Sequence, residues 1–259
     1  MVQWRDRLGM WLACMFAVTC CATILPAHAV TLRTAAQEGT EPKFIAAGGE
    51  RIAGMCVDLF RAIEQLDPEL QIVGDQSWKP LIRAYSELEH GQLDLACAVQ
   101  RIGERERRFH FIGPPLYNNE YHFLARISDP IRISSWDDVR QLAPDNTVLI
   151  NRGFAAGDII RAQGGIPIDD SATNQVLNLQ KLVAGRGRLF FHRGRDLRKL
   201  LERTGNSSKV RVLPQVMLSS PVYFATSKQL APDSRDRLER ALFQLEKSGE
   251  LDRLIRKWD

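Results

Sequence analysis

Short apolar runs alternate with stretches of helical periodicity along most of the chain. Val57, Phe60 and Ile63 recur on one face of a predicted helix, and a second helix opens at Pro80 and ends at Gly91. The apolar runs that we interpret as the neighbouring strands are residues 31–36, 70–73 and 93–99. Strands that alternate with helices predict an α/β fold with largely parallel sheets.

The rhythm changes at residues 101–117, where a charged run is followed by the breakers Gly113, Pro114 and Pro115. A strand-like stretch at residues 121–126 comes next, and we interpret the whole segment as a crossing between two bodies of the protein. The segments predicted to build the second body are residues 147–151, 157–163, 176–183, 189–191, 195–203 and 210–213.

Three further helices are predicted from local signals. Ser135, with Asp138 three residues later, is typical of a helix start. After a predicted returning strand at residues 222–226, two terminal helices are separated by Gly249. Their apolar positions are Leu238, Ala241, Leu242 and Leu245 in the first, and Leu251, Leu254, Ile255 and Trp258 in the second. These stripes predict core packing.

The first 29 residues have the pattern of a secretory signal. Arg5 and Arg7 precede an apolar run at residues 9–25, and a small-residue triplet ends at Ala29, so we expect cleavage after Ala29 and an exported, soluble protein. An uncleaved membrane anchor is the alternative, because the run is near the lower length for a bilayer span. Lipid attachment at Cys14, Cys20 or Cys21 is a minor alternative.

Composition narrows the function classes. The chain has 259 residues and a formal net charge of +4 at pH 7, with charges of both signs mixed along it. This pattern argues against a nucleic-acid binder, which concentrates Lys and Arg on one face. Cys56 and Cys97 are the cysteines beyond the signal, and in an oxidising compartment they predict a disulfide, with two separately buried thiols as the alternative. No zinc or other metal site and no cofactor is expected.

Several short motifs occur in one order along the chain: GMCVDL at 54–59, WKPLI at 78–82, GQLD at 91–94, ER at 104–105, FHF at 109–111, PLY at 115–117, GR at 185–186, and KSGELD at 247–252 leading to KW at 257–258. In this order they resemble the family-3 periplasmic solute-binding proteins, the receptors of polar amino acid ABC transporters. The resemblance covers essentially the whole chain after the signal.

That resemblance implies a periplasmic-binding-protein type II fold, with two α/β lobes joined by two crossing strands. Residues 30–117 plus 220–259 would form lobe 1, and residues 118–219 lobe 2. A small polar solute would be enclosed between the lobes by hinge closure, and a monomeric receptor would deliver it from the periplasm to an ABC permease in the inner membrane.

The resemblance also implies binding residues. Arg105 matches the arginine that grips a ligand carboxylate, with a solvated surface charge as its alternative. The end of the third strand, which carries small hydroxyl residues in the family, here contains Ala98 and Gln100, so hydroxyl contacts would be lost. Further ligand contacts are expected at the carboxylate-binding helix start, which here reads Gly153, Phe154 and Ala155, with core packing as an equal alternative for Phe154.

Two positions depart from the family pattern. Arg193 falls where amino-acid binders carry the acid that pairs with the ligand ammonium, so we expect a ligand with a second anionic or acceptor group; the alternative is that Arg193 points to solvent. Thr40 takes the place of the stacking aromatic residue. Trp78, Tyr117 and Tyr121 are the candidates to replace it, with core or hinge packing as the alternative for each.

Two other functions are carried by the same kind of fold. Some exported dehydratases resemble this family, but they need a carboxylate where Arg193 stands, and the histidines His90, His110, His122 and His192 are scattered over different elements. We therefore predict a binding protein and not an enzyme. A ligand-reporting subunit for a membrane sensor is the other alternative.

Overall fold

The computed structural model describes residues 29–195 and 197–258. The predicted signal peptide, apart from Ala29, lies outside the described residues. The strands are β1 (Val30–Arg33), β2 (Ala36–Gln37), β3 (Ile45–Ala46), β4 (Ile52–Ala53), β5 (Leu70–Val73), β6 (Trp78–Lys79), β7 (Leu95–Gln100), β8 (Phe109–Arg126), β9 (Val148–Asn151), β10 (Ile168–Ala172), β11 (Leu189–Arg193), β12 (Val210–Val212) and β13 (Leu218–Ser227). The helices are α1 (Met55–Leu66), α2 (Leu81–Glu89), α3 (Gly103–Arg108), α4 (Trp136–Arg140), α5 (Ala156–Gln163), α6 (Gln175–Val183), α7 (Leu197–Arg203), α8 (Pro232–Lys247) and α9 (Glu250–Arg256).

A seven-stranded sheet has the order β10-β9-β11-β8-β13-β7, with β12 also paired to β8, and the pairs β1-β5, β2-β6 and β3-β4 form separate two-stranded sheets. Strands β9, β10 and β11 are parallel, whereas β8 is antiparallel to β11, β12 and β13, and β13 is antiparallel to β7. The prediction of largely parallel sheets is therefore wrong for the middle of the molecule. Two crossing strands that leave and return between the lobes must run in opposite directions.

The segment predicted to break at Gly113, Pro114 and Pro115 lies inside the 18-residue strand β8. The pairing with β13 shifts there: Val222 faces Tyr117, while Phe224 faces Ile112. Because the shift takes residues 113–116 out of the regular ladder, the prolines sit where their missing N–H groups are not needed. The breakers thus make a bulge and not the end of a strand.

Two apolar cores lie on either side of the crossing strands. The first packs α1, α8 and α9 over the sheet, with Phe60 and Leu242 fully buried in it. The second contains Phe123 and Phe191, whose ring centroids are 4.8 Å apart, with Trp136 against them. The two-lobed α/β fold expected from the sequence is thereby confirmed, while the residue boundaries of the lobes stay a prediction.

The helix ends that local sequence signals predicted agree with the structure. Ser135 caps α4 in a capping box with Asp138, and Gly249 separates α8 from α9 with a φ of 76°. The short strands β3, β4, β6 and β10 were not expected, because none carries a clear apolar alternation. Within the described residues, no helix has both the length and the apolar character needed to cross a membrane.

Cys56 and Cys97 are joined by a disulfide bond, with their Cα atoms 5.9 Å apart. The bond connects the first turn of α1 to the middle of β7. Of the two alternatives left open by the sequence, the structure contains the disulfide. It fixes the helix to the strand whose end reaches the cleft between the lobes.

Candidate functional site

The end of β7 departs from regular strand geometry at Ala98, which has a φ of 54°. The register with β13 shifts here, since Tyr223 pairs with Val99 and Ala225 with Ala96. A left-handed conformation is unfavourable for a residue with a Cβ atom, so strain of this kind marks a position that the surroundings hold in place. The bulge turns the Ala98 carbonyl away from the ladder, and the Lys43 ammonium donates a hydrogen bond to it.

A small enclosed cavity lies between the two lobes at this point. Its lining consists of Thr40, Lys43, Leu81, Tyr85, Ala98, Gln100, Arg105, Asn119, Tyr121, Phe154, Ala155 and Arg193. The cavity volume is about 20 Å³, which leaves space for about one water molecule. The structure therefore shows the lobes closed on each other.

Arg105 enters the cavity from α3 and is 6% exposed, so it is not the solvated surface charge that was its alternative. Its guanidinium lies over the ring of Tyr85, with Cζ 4.8 Å from the ring centroid. Nη2 donates to the carbonyl of Gly153 at 3.3 Å, across the cleft. Arg105 thus contacts both lobes.

Arg193 enters from the opposite side, at the end of β11, and is 5% exposed. The alternative that it points to solvent is wrong. Its Nη2 donates to the carbonyl of Gly39 at 3.0 Å, and its guanidinium lies over the Phe154 ring with Cζ 5.1 Å from the centroid. Its Nε has no hydrogen-bond partner. An unsatisfied donor on a buried cation is a contact available to a ligand.

Lys43 is the charged cavity residue that the sequence did not suggest, and Leu81, Tyr85 and Asn119 are uncharged lining residues that it did not suggest either. Lys43 is 4% exposed, and burial, followed by the positive charges of Arg193 and Arg105, holds the pKa of its ammonium well below the usual value. In this loop the family pattern marks only the aromatic position, which Thr40 occupies. The available signal was a single lysine in the loop that reaches the cleft.

Polar groups with unused hydrogen-bonding capacity complete the lining. Tyr121 donates its hydroxyl to Gln100 Oε1 at 2.7 Å, and burial raises the pKa of Tyr121 to about 12. Nε2 of Gln100 then has no hydrogen-bond partner, and neither has Oδ1 of Asn119. Asn119 lies on β8 in the crossing segment, where it pairs with Ser220. The cavity therefore offers both a donor and an acceptor besides its cations.

The remaining predicted residues fall into two groups. Thr40 and Ala155 are buried in the lining, and the Thr40 hydroxyl donates to the Gln37 carbonyl at 2.6 Å. Trp78 is 39% exposed on β6 and Tyr117 lies under the Arg195 guanidinium at 4.1 Å; neither lines the cavity. These two aromatic candidates are thus not brought to the site, whereas Tyr121 is.

Phe154 was predicted to lie either at the site or in the core, and it belongs to both. Its half-buried ring packs against the cores of both lobes and also lines the cavity under Arg193. Gly153, beside it, is not in the lining and contributes its carbonyl to Arg105. The loop 153–155 is therefore the part of lobe 2 that touches both arginines.

The electrostatic balance of the cavity is one-sided. Three cationic side chains line it, and its described lining contains no Asp or Glu. The neighbouring carboxylate, that of Glu41, accepts from Gln175 Nε2 at 2.8 Å and lies 3.7 Å from Arg203. Among residues 29–195 and 197–258, no group of His, Cys, Asp or Glu side chains is arranged to hold a metal ion. The arrangement suits an anion.

Comparison with known proteins places this geometry in context. The family model for bacterial extracellular solute-binding proteins, family 3, matches residues 32–259. No curated protein sequence matches the chain significantly.

Solved structures share the fold at low sequence identity. The amino acid ABC transporter substrate-binding protein AbpA from Streptococcus pneumoniae, bound to L-arginine, is 19% identical with a TM-score of 0.70, covering 88% of this chain and 93% of that one. A histidine kinase sensor domain is 16% identical with a TM-score of 0.76, covering 89% and 96%. The ancestral amino acid-binding protein AncCDT-1, a precursor of cyclohexadienyl dehydratase, is 20% identical with a TM-score of 0.70, covering 88% and 95%.

Proposed function

Because the chain belongs to the bacterial extracellular solute-binding proteins of family 3, we propose that it is a periplasmic receptor that captures a small polar or anionic solute for an ABC transporter. The protein is exported by its signal peptide, cleaved after Ala29, and works as a monomer. The solute binds between the lobes, and the closed receptor presents it to a permease in the inner membrane.

One observation supports this proposal most directly: buried side chains from both lobes meet in a single cavity. Arg105 comes from the residues predicted for lobe 1 and Arg193 from those predicted for lobe 2, and each also donates a hydrogen bond across the cleft. A ligand that touches both lobes favours the closed state over the open one, because only the closed state makes both sets of contacts.

The dehydratase alternative receives less support from the site. A general acid or base must lie next to the reacting atoms, and Arg193 occupies the place where a carboxylate would serve. Among the described lining residues there is no Asp or Glu. Binding without catalysis therefore explains the arrangement with fewer assumptions, and a sensor role would use the same binding step.

The test is binding by the mature protein, residues 30–259, measured by thermal unfolding and calorimetry against L-amino acids and small organic acids. We expect one class of solute to raise the melting temperature and to decrease the radius of gyration in solution scattering. Arg105→Gln should weaken that binding at least tenfold, because a buried guanidinium contact is lost. Arg107→Gln, an exposed arginine of the same helix, is the matched control. If no solute of either class binds, the proposed function is wrong.

A further inference from the structure

The charges of the cavity do not balance. Lys43, Arg105 and Arg193 are each at least nine-tenths buried and line the same space. Burying a cation without a counter-ion is strongly unfavourable, and three of them in one place also repel each other. A binding site with this composition is completed by negative charge from its ligand.

Within residues 29–195 and 197–258, the groups that accept hydrogen bonds from these cations carry no negative charge. These acceptors are the neutral backbone carbonyls of Ala98, Gly153, Gly39 and Glu41. The carboxylate of Glu41 is engaged by Gln175 and lies beside Arg203. Carbonyl oxygens satisfy hydrogen-bond donors, but they leave the net charge of the cavity unchanged.

Free donors remain for a ligand. Nε of Arg193 and Nε2 of Gln100 have no partner, and each side chain is at most 5% exposed. Nη2 of Arg193 already donates to backbone carbonyls, so its Nε–H is the donor that remains for a carboxylate or phosphoryl oxygen. The donors lie at both sides of the cleft, because Gln100 ends β7 and Arg193 ends β11.

We propose that the solute is a small organic dianion without an ammonium group, with one anionic group held by Lys43 and Arg105 and the other by Arg193. This assignment rests on the proposed solute-binding function and names its ligand class. A monocarboxylate neutralises one of three cations, and the ammonium of an α-amino acid adds a fourth positive charge.

The same arrangement explains how closure depends on the ligand. Closing the empty cleft brings Arg193 toward Lys43 and Arg105 against their mutual repulsion. Because the cavity of about 20 Å³ holds about one water molecule, a dianion binds with the lobes further apart than in this structure, and there it turns the repulsion into attraction across the cleft. The ligand therefore stabilises the closed state by its differential interaction with the two states.

The first experiment uses calorimetry on the mature protein. It compares dianions of increasing length with a monoanion of matched size and with amino acids. The dianion series runs from malonate to adipate and includes phosphonoacetate and 3-phosphonopropionate, so that carboxylate and phosphoryl groups are distinguished. Succinamate is the monoanion matched to succinate, and L-asparagine and L-glutamine represent amino acids. We expect the best dianion to bind at least tenfold more tightly than its monoamide and than either amino acid.

The second experiment removes the cations. Lys43→Met, Lys43→Gln and Arg193→Gln should each weaken the best dianion at least tenfold, while raising the melting temperature of the ligand-free protein, because a repulsive buried charge is gone. A purely structural lysine would lower that temperature when replaced. The exposed Lys228→Met and Arg107→Gln are the matched controls and should change neither value.

The outcomes separate the two claims. If a monoamide or an α-amino acid binds as tightly as every dianion, or if all three variants keep the dianion affinity, the dianion assignment is wrong while solute binding stands. If no probe of any class binds, the proposed function and the dianion assignment are both wrong.

Discussion

The backbone N–H of Cys56 donates a hydrogen bond of 3.1 Å to the carbonyl of Lys43. Lys43 in turn donates its ammonium to the carbonyl of Ala98, and Ala98 follows Cys97, which is bonded to Cys56. These links form a closed ring of one disulfide, one peptide bond and two hydrogen bonds. The ring holds the Lys43 side chain at the cleft.

Removing the disulfide should therefore affect both stability and binding. The double variant Cys56→Ala with Cys97→Ala is expected to lose about 4 kcal/mol of unfolding free energy in urea, from the entropy of a loop with a sequence separation of 41. Solute affinity should fall as well, because Lys43 is less well held. Dithiothreitol should reproduce the loss in the native protein and leave the double variant unchanged; equal urea midpoints for the two proteins would contradict the prediction.

Ala98 should tolerate substitutions according to their backbone preference. With a φ of 54°, Ala98→Gly is expected to lie within about 1 kcal/mol of the native protein, since glycine adopts this conformation freely but loses more chain entropy. Ala98→Val should lose about 1–3 kcal/mol or more, from its branched Cβ in the left-handed region and from crowding in a buried site. Urea unfolding measures both, with Ala98→Ser as the size control. A valine variant as stable as the glycine variant would exclude backbone strain.

His192 should make the protein sensitive to mild acid. Burial, followed by the charge of Arg193, lowers the pKa of its imidazole from 6.5 to about 3. Between these values the unfolded chain binds a proton that the native protein does not, so the unfolding free energy falls as the pH is lowered, by about 1.4 kcal/mol per unit from this group. The decrease starts below about pH 6.5.

Urea unfolding of His192→Gln between about pH 7 and pH 4 checks this sign, because the variant lacks the titrating group. Its stability should depend less on pH than that of the native protein. The exposed His90→Gln is the matched control and should keep the native slope. Parallel curves for the native protein and His192→Gln would show that another group causes the acid sensitivity.

Two aromatic residues that the sequence placed at the site should behave differently. Phe154→Ala is expected to weaken solute binding several-fold, since its ring supports the Arg193 guanidinium at 5.1 Å and lines the cavity. Trp78→Ala should leave the affinity unchanged, because Trp78 is 39% exposed outside the cavity. Calorimetry with the best solute compares them. An equal loss of solute affinity in both variants would contradict this prediction and would mean that Trp78 also contacts the solute.

The fold was largely readable from the sequence because its helices carry strong periodic and capping signals. The capping box at Ser135 and the stop at Gly249 are local features, and the structure contains both. The crossing strands were harder, since Pro114 and Pro115 are breakers by local rules and a bulge absorbs them only when β13 lies alongside β8. That pairing joins residues about a hundred positions apart.

The site was readable only where a motif marked it. Arg105 and Arg193 were identified through the family pattern, and both line the cavity. Lys43 was missed because its burial depends on the bulge at Ala98 and on the disulfide beside it, which no local pattern shows. Trp78 lies outside the cavity lining, on strand β6 paired with β2, a pairing that no local pattern shows.

The paired strands β8 and β13 also form the connecting ribbon between the two lobes. Their pairing register is continuous from Tyr117 opposite Val222 to Tyr121 opposite Leu218, with Pro221, which has no N–H group, opposite Asn118. This ribbon lies between the strands that lead to the two arginines, in the order β11-β8-β13-β7. It links the end of β11, at Arg193, to the end of β7, which precedes Arg105, so its register sets how far apart the two guanidiniums stand, and we expect the site to discriminate solutes by length.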